Sequence, residues 1–184
     1  MKIRYLFIVN FFWIFLFEAA YPWDHEISLG YNRSREVGYD YYNSGFFLNA
    51  KLYKFKKMDK TLILTVDGSI ARWEATTEEF NKLITGGLSV AFRAYFIAPE
   101  HRKFNPYLSA SFGPVYLSRS RLGECEQTNH ITFQTTMGVG TEIMLNDKRG
   151  VTLSLQLVHY CNAGLYKINR GINMLYVFSI GYMF

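Results

Sequence analysis

The chain has 184 residues and a formal net charge of +5, with 18% aromatic residues and two cysteines. The length predicts a single domain. A basic protein suits an anionic, phosphate-bearing surface or nucleic acid, but the sequence contains no basic helix and begins with an export signal, which together exclude nucleic acid as a partner. The many Tyr and Phe residues are typical of membrane barrels, which carry aromatic girdles at both interfaces.

Residues 1–20 have the layout of a secretory signal peptide. A short basic start is followed by an apolar run over residues 5–17, which is too short for a spanning helix of about 20 residues. Small residues follow at Ala19 and Ala20, although Glu18 stands where a small residue is preferred. We predict a signal peptide at 1–20 and a mature domain at 21–184, with an uncleaved anchor as the alternative.

The mature sequence repeats one pattern, in which apolar and polar residues alternate with a period of two. This pattern predicts strands that have one apolar face. Eight such segments follow one another, at residues 27–32, 46–53, 62–70, 88–96, 108–116, 131–143, 151–159 and 174–184. No later segment has 18 uninterrupted apolar residues, so we expect no spanning helix. The sequence therefore predicts an all-β, eight-stranded antiparallel transmembrane β-barrel.

A soluble, lipocalin-like barrel would alternate in the same way, but its apolar faces would point inward. Two features favour the membrane barrel. The chain ends in Phe184, with an aromatic or aliphatic residue at every second position before it. The connections also alternate between short (56–61, 99–103, 146–150) and long (34–44, 72–82, 118–129, 161–172). Membrane barrels place short turns in the periplasm and long loops outside.

The polar positions that alternate with the apolar ones are predicted to face the lumen. They include several charged and amide residues: Asp67, Arg93, Gln134, Glu142 and Gln156. Eight strands enclose an interior just wide enough to be filled by side chains, so a pore is not expected. Because buried charges need partners, we predict an internal ion-pair network here rather than a functional site.

The seventh segment ends in a His-Tyr-Cys-Asn-Ala-Gly stretch, residues 159–164, and Asn-Arg-Gly-Ile-Asn follows at 169–173. The parity of residues 151–159 puts His159 and Cys161 on the apolar face, at the outer end of the strand. The stretch resembles the active site of the PagL-type lipid A 3-O-deacylases, whose pattern is His-x-Ser-Asn, a Gly-containing spacer, Asn-x-Gly and an acidic residue. That family uses a His, Ser and Glu triad on an eight-stranded outer-membrane barrel to remove an ester-linked acyl chain from lipid A.

The resemblance implies a role for each residue of the stretch. His159 is the general base and Cys161 stands in place of the serine nucleophile. Asn173 stands in place of the glutamate and orients the imidazole without a charge, although strand parity puts it on the polar face unless the loop or a bulge re-aims it. We expect the backbone N–H groups of Asn162, Ala163 and Gly164 to bind the oxyanion, with Gly164 permitting a tight turn. Asn169 and Gly171 match family positions and are expected to shape the loop.

Lys167 and Arg170 are the only charged residues of this loop. They are candidates to bind lipid phosphates, and the alternative is that they are ordinary solvated charges. Cys125 and Cys161 both fall on the outer side of the predicted topology. An exported protein with two cysteines is expected to carry a disulfide, so a Cys125–Cys161 bridge competes with a free structural thiol and with a reactive nucleophile.

Two hypotheses for the function follow. The first is a lipid A deacylase-like carboxylic-ester hydrolase that acts on lipopolysaccharide in the outer leaflet of a Gram-negative outer membrane. The second is a noncatalytic small barrel, structural or lipopolysaccharide-binding, with a degenerate active site. The sequence contains no Cys/His spacing for a metal and no phosphate-cradling glycine loop, so no metal or cofactor is expected. It leaves open whether the barrel forms a homodimer.

Overall fold

The computed structural model describes residues 25–55, 61–99, 103–146 and 149–184. The predicted signal peptide, residues 1–20, lies outside the described residues. The described chain forms ten strands: β1 (Glu26–Arg35), β2 (Tyr42–Lys54), β3 (Leu62–Ala75), β4 (Lys82–Tyr95), β5 (Phe104–Leu117), β6 (Arg121–Leu122), β7 (Cys125–Glu126), β8 (Ile131–Met144), β9 (Gly150–Cys161) and β10 (Ile172–Met183). None of the described residues forms a helix that could cross a membrane.

Eight long strands close into one antiparallel barrel in the order β1-β10-β9-β8-β5-β4-β3-β2. The first strand pairs with the last from Glu26↔Met183 to Tyr31↔Phe178, so this part of the sheet has no free edge. The two remaining strands, β6 and β7, form a small hairpin within the connection between β5 and β8. The predicted eight-stranded barrel is confirmed, and the small hairpin was not predicted.

The apolar face of each strand points outward. Leu29, Ile70 and Val139 are more than half exposed, and similar residues cover the wall on every side. A soluble carrier barrel would turn these residues inward, so the lipocalin-like alternative is wrong. An apolar outer band of this extent is what a barrel needs when lipid is its surroundings.

A charged network fills the lower part of the lumen. The Arg93 guanidinium donates to the carboxylates of Glu142 at 2.7 Å and Glu26 at 2.9 Å. The Lys51 ammonium lies 3.1 Å from the second of these carboxylates. The other predicted polar residues of the lumen also have partners: Asp67, Gln134 and Gln156. The prediction of a satisfied internal network is confirmed.

The upper lumen is apolar and tightly packed, which the strand pattern did not predict. Its fully buried members come from most of the long strands and from the β6–β7 hairpin: Trp73, Leu83, Leu117, Leu122, Cys125, Val158, Tyr160, Ile172 and Met174. The hairpin therefore folds over the mouth of the barrel and contributes to its core.

Two of the predicted long loops are shorter than expected. Residues 36–41 connect β1 to β2, and residues 76–81 connect β3 to β4. The strands continue further because their ends pack into the upper core. Trp73, which the sequence pattern assigned to a loop, is fully buried there. The long connections that remain lie between β5 and β8 and between β9 and β10, at the same end of the barrel.

The lumen network gives a prediction about stability. Glu26→Gln leaves Lys51 and Arg93 without one of their counter-charges, and we expect the free energy of unfolding to fall by about 3–5 kcal/mol, as for other buried ion pairs that lose one partner. The matched control is Glu74→Gln in the exposed Arg72–Glu74 pair, whose contact of 2.8 Å is as short as the 2.9 Å contact between Arg93 and Glu26. Because exposed pairs contribute little, it should cost less than about 1 kcal/mol.

The measurement is urea unfolding in detergent, followed by the gel mobility of the folded barrel. If the free energy of unfolding fell equally in Glu26→Gln and Glu74→Gln, the larger contribution expected of the buried ion pair would be contradicted.

Candidate active site

Strand β9 ends with alternate residues on opposite sides of the barrel wall. His159 and Cys161 face outward and are partly exposed, while Tyr160 between them faces the lumen and is fully buried. The Tyr160 hydroxyl accepts a hydrogen bond from Trp73 Nε1 at 2.9 Å and lies 3.3 Å from Thr85 Oγ1. This buried anchor holds the strand end in one orientation, so its two neighbours stay on the lipid side as the parity predicts.

A β-bulge in β10 brings Asn173 to the same side. The register between β9 and β10 shifts between Met174 and Val177, and Tyr176 has a positive φ of 62°. Both Met174 and Val177 are buried, so the alternation changes phase between them. Before the bulge Asn173 faces outward and lies directly opposite His159.

The contact between these two residues is direct. His159 Nδ1 and Asn173 Oδ1 lie 2.8 Å apart. Asn173 therefore reaches the imidazole that the sequence assigned to it, and the bulge is the reason that simple strand parity misplaced it. No hydrogen bond joins Cys161 Sγ to His159 in the part of the chain that the structure describes.

Gly171 provides the surface against which the imidazole lies. A Cβ atom added there would overlap His159 Cε1 and would stand 3.2 Å from both ring nitrogens. Any larger residue would push the ring away from Asn173. The sequence interpretation gave Gly171 a role in the loop shape, and the structure places it in close contact with the His159 ring.

The loop that follows Cys161 uses most of its own polar groups internally. The backbone N–H of Asn162 donates to Asn169 Oδ1 at 2.9 Å, and the backbone N–H of Gly164 donates to Asn162 Oδ1 at 3.0 Å. These two N–H groups already have acceptors, which corrects the expectation that they bind an oxyanion. Within the described residues, the backbone N–H of Ala163 and the side-chain Nδ2 of Asn169 have no acceptor.

The same loop is tied to the segment that follows the β6–β7 hairpin. Gln127 pairs with Asn169 as an isolated bridge, and its side chain donates to the Arg170 carbonyl at 2.6 Å. Thr128 Oγ1 donates to the Ile168 carbonyl at 3.0 Å. These bonds hold the loop over the end of β8, while the side chains of Lys167 and Arg170 remain exposed.

An open cleft of about 400 Å³ lies next to Asn162, the residue that follows Cys161. Phe133 on β8 pairs directly with Cys161 and forms part of the cleft wall. The remaining lining is largely aromatic and aliphatic: Tyr116, Asn129, His130, Ile131, Asn162, Leu165 and Tyr166. The cleft is therefore mostly apolar, and its lining includes both the strand partner of Cys161 and residues of the loop that follows it.

The two cysteines are free and do not form the predicted bridge. Cys125 is fully buried in the upper core, where its Sγ accepts a hydrogen bond from the Tyr41 hydroxyl at 3.4 Å. Cys161 lies on the outer face. The thiols are on opposite sides of the barrel wall, which is the reason that the disulfide alternative fails. Burial raises the pKa of the Cys125 thiol to about 11.

Sequence analysis missed Glu36, which follows β1 and is buried. Its Oε1 accepts hydrogen bonds from Asn173 Nδ2 at 2.7 Å and from the Val37 N–H at 2.9 Å. Its Oε2 accepts from Asn43 Nδ2 at 2.6 Å and from the Asn173 N–H at 3.0 Å. One signal could have found it, because the first and last strands are neighbours in any closed barrel and Glu36 is an acid at the outer end of the first.

The positions of the thiols give a second prediction. In folded protein in detergent at neutral pH, N-ethylmaleimide should add once, to Cys161, because Cys125 is buried and protonated. After unfolding without a reductant, two adducts should form. Intact-protein mass spectrometry measures both numbers, and the Cys161→Ser variant assigns the first adduct. A protein that gains its adducts only after reduction would contain the bridge.

The comparisons with known proteins identify a family and support the barrel fold. The sequence model of the family "Lipid A 3-O-deacylase (PagL)" matches residues 17–182. The crystal structure of the outer membrane enzyme PagL has a similar fold, with a TM-score of 0.63 and 20% identity over 86% of this chain and 97% of that chain. Neisserial surface protein A follows, with a TM-score of 0.55 and 12% identity over 90% of this chain and 98% of that chain.

A comparison with curated protein sequences found no match. The family match covers nearly the whole chain, including the barrel strands and the stretch that holds His159, Cys161 and Asn173. The chain belongs to the lipid A 3-O-deacylase (PagL) family.

Proposed function

We propose that this protein is a carboxylic-ester hydrolase that removes an acyl chain from lipid A in the outer leaflet of a Gram-negative outer membrane. The observation that carries the proposal is the His159–Asn173 contact at 2.8 Å, on the lipid side of the wall and two residues from Cys161. A base held by an amide beside a thiol is a coherent set for ester hydrolysis. The membership of the family supports lipid A as the substrate.

In the proposed reaction Nε2 of His159 takes the proton of the Cys161 thiol, and the thiolate attacks the ester carbonyl carbon. The tetrahedral intermediate collapses to a thioester, and the leaving alkoxide of the sugar takes the proton from His159. Water then gives a proton to His159 and attacks the thioester carbonyl carbon. The C–S bond breaks and releases the fatty acid, and the Cys161 thiolate takes the proton back from His159. The thiol and the ring approach each other only when substrate is bound, as is common for catalytic hydrogen bonds.

The free donors of the loop supply the oxyanion site in this proposal. The backbone N–H of Ala163 and Nδ2 of Asn169 remain without acceptors in the described chain, and both lie on the loop that follows Cys161. Ala163 and Gly164 have consecutive positive φ angles of 53° and 77°. The Gly164 N–H is bonded to Asn162 Oδ1, so in this turn the Ala163 N–H is the one that would donate to a developing negative charge.

The surroundings of the thiol suit a lipid with a phosphate headgroup. The apolar cleft beside Phe133 would accept the acyl chain that is cut. Lys167 and Arg170 stay exposed on the same loop and would bind phosphate oxygens. The alternative for these two residues remains that they are solvated loop charges.

The direct test is the lipid A of Gram-negative cells that express the chain. We expect the wild type to remove one hydroxyacyl mass from the lipid A spectrum. His159→Ala and Cys161→Ala should leave the spectrum unchanged, because each removes a group that the reaction needs, whereas Cys161→Ser should retain activity through a serine nucleophile. Cys125→Ala is the matched control and should act like the wild type, since Cys125 lies inside the barrel.

Gel mobility of the folded barrel confirms that each variant is present in the outer membrane. Activity that survives His159→Ala would contradict the proposed base. An unchanged spectrum with folded wild type would favour the noncatalytic barrel, in agreement with the missing bond between Cys161 and His159.

Gly171→Ala tests the position of the imidazole. The added methyl group overlaps the ring and moves it away from Asn173. Displacements of about 1 Å can lower activity by about 10²-fold, so we expect a loss of kcat on that order without unfolding. Gly86→Ala is the control, because its Cβ would meet nothing closer than the Ser69 carbonyl oxygen at 3.9 Å. Equal activities of the two variants would contradict the ring position.

A further inference from the structure

We propose that Glu36 supplies the acid of this site from another strand, as a positioning residue that acts on His159 through the side-chain amide of Asn173. The acid of the family motif is absent at position 173, where the chain has an asparagine. The carboxylate of Glu36 lies behind that asparagine, hydrogen-bonded to the side of its amide that faces away from His159. It reaches the site from the outer end of β1, across the seam where the barrel closes. The part of this inference that is tested by kcat rests on the proposed hydrolase function.

The first step of the argument is the hydrogen bonding of Glu36. A carboxylate has about four acceptor positions and no donor. All four are used, because each oxygen of Glu36 accepts two N–H donors: Val37 N, Asn43 Nδ2, Asn173 N and Asn173 Nδ2. A carboxylic acid or an amide at this position would turn a donor toward another donor, so the arrangement specifies the carboxylate.

The second step is the orientation of the Asn173 amide. Because the carboxylate cannot donate, the NH₂ group of Asn173 must face Glu36, where Nδ2 lies 2.7 Å from Oε1. The Gly171 carbonyl, 3.3 Å from the same Nδ2, favours the same orientation. The other end of the amide, Oδ1, must then face His159.

The third step is the tautomer of His159. Oδ1 of Asn173 only accepts, so Nδ1 of the ring, 2.8 Å away, must carry the proton. The lone pair of the neutral ring is then on Nε2, the nitrogen that the proposed reaction uses as the base. The charge of Glu36 also polarises the amide, which favours the imidazolium formed when the thiol loses its proton.

The burial of Glu36 explains why its carboxylate can set the tautomer of His159 through the single amide of Asn173. Glu36 is 2% exposed and Asn43 is fully buried, so water does not compete for the carboxylate. In the Glu36→Gln variant the amide can no longer accept four bonds. The Asn173 amide then loses the contact that fixes its orientation and can present its NH₂ group to His159, which favours the other ring tautomer.

The experiment measures the tautomer of His159 by NMR of the histidine ring nitrogens in ¹⁵N-labelled protein, at a pH where the ring is neutral. The signals are assigned with His159→Gln. We expect the wild type to carry its proton on Nδ1, and Glu36→Gln to shift the population toward Nε2–H. Asp40→Asn, in the same loop but exposed and paired with Arg35, is the matched control and should change nothing.

The kinetic readout separates positioning from substrate binding. We expect Glu36→Gln to lower kcat by roughly 10²-fold, as supporting partners of a catalytic group typically do, with KM within about twofold of the wild type. A wild-type ring protonated on Nε2 would overturn the inference. So would a folded Glu36→Gln variant that keeps the Nδ1–H tautomer and the wild-type kcat.

A charge exchange keeps the test decisive if Glu36→Gln folds poorly. Asn173→Asp alone places two carboxylates against each other and should lower both kcat and stability. Combined with Glu36→Gln it restores a single negative charge, now in contact with His159. The double variant should recover the Nδ1–H tautomer, and its kcat should be at least tenfold higher than that of either single variant. Additive losses in the double variant would overturn the inference.

The two proposals fail in different ways. A wild-type protein with no deacylase activity but with the Nδ1–H tautomer and its loss in Glu36→Gln would overturn the proposed function and support the role of Glu36. An active enzyme in which Glu36→Gln changes neither tautomer nor kcat would support the function and overturn that role.

Discussion

The barrel closes where β1 pairs with β10, and the site depends on the point at which the backbone hydrogen bonds between these two strands end. Backbone pairing runs from Glu26↔Met183 to Tyr31↔Phe178 and then stops, because the bulge diverts β10. Beyond that point the backbone N–H groups of Leu175 and Asn173 donate to Ser34 Oγ at 3.1 Å and Glu36 Oε2 at 3.0 Å. A barrel in lipid cannot leave backbone groups unpaired, so side chains of the first strand and its loop replace the missing ladder. The same contacts hold Asn173 opposite the imidazole.

The barrel wall separates two kinds of packing that support each other. On the inner side Tyr160, Trp73 and the β6–β7 hairpin form a dry core with a buried hydrogen bond. On the outer side His159 and Cys161 face lipid. A single strand carries both, with alternate residues pointing in and out. The rigidity that the site needs therefore comes from a core on the opposite face, which agrees with the general rule that precise sites are built on supported strands.

The family motif is changed at two of its three triad positions, and the structure gives these changes a physical context. A thiol needs less activation by a base than a hydroxyl does. An amide in place of the acid keeps the hydrogen bond to the imidazole, and Glu36 places a negative charge behind that amide. In the proposed mechanism the acid has moved from the last strand to the first, where closure of the sheet makes it a neighbour.

The sequence by itself determined the eight strands, the outward direction of their apolar faces and the placement of His159 and Cys161, because a period of two directly encodes the two sides of a strand. It did not determine the side that Asn173 faces, because the bulge shifts the alternation by one residue and leaves no distinct local signal. Only the tertiary structure decided that the cysteines lie on opposite sides of the wall. It alone brought Glu36 to Asn173, 137 positions along the chain, because closure of a sheet joins residues that are nearly the whole chain apart.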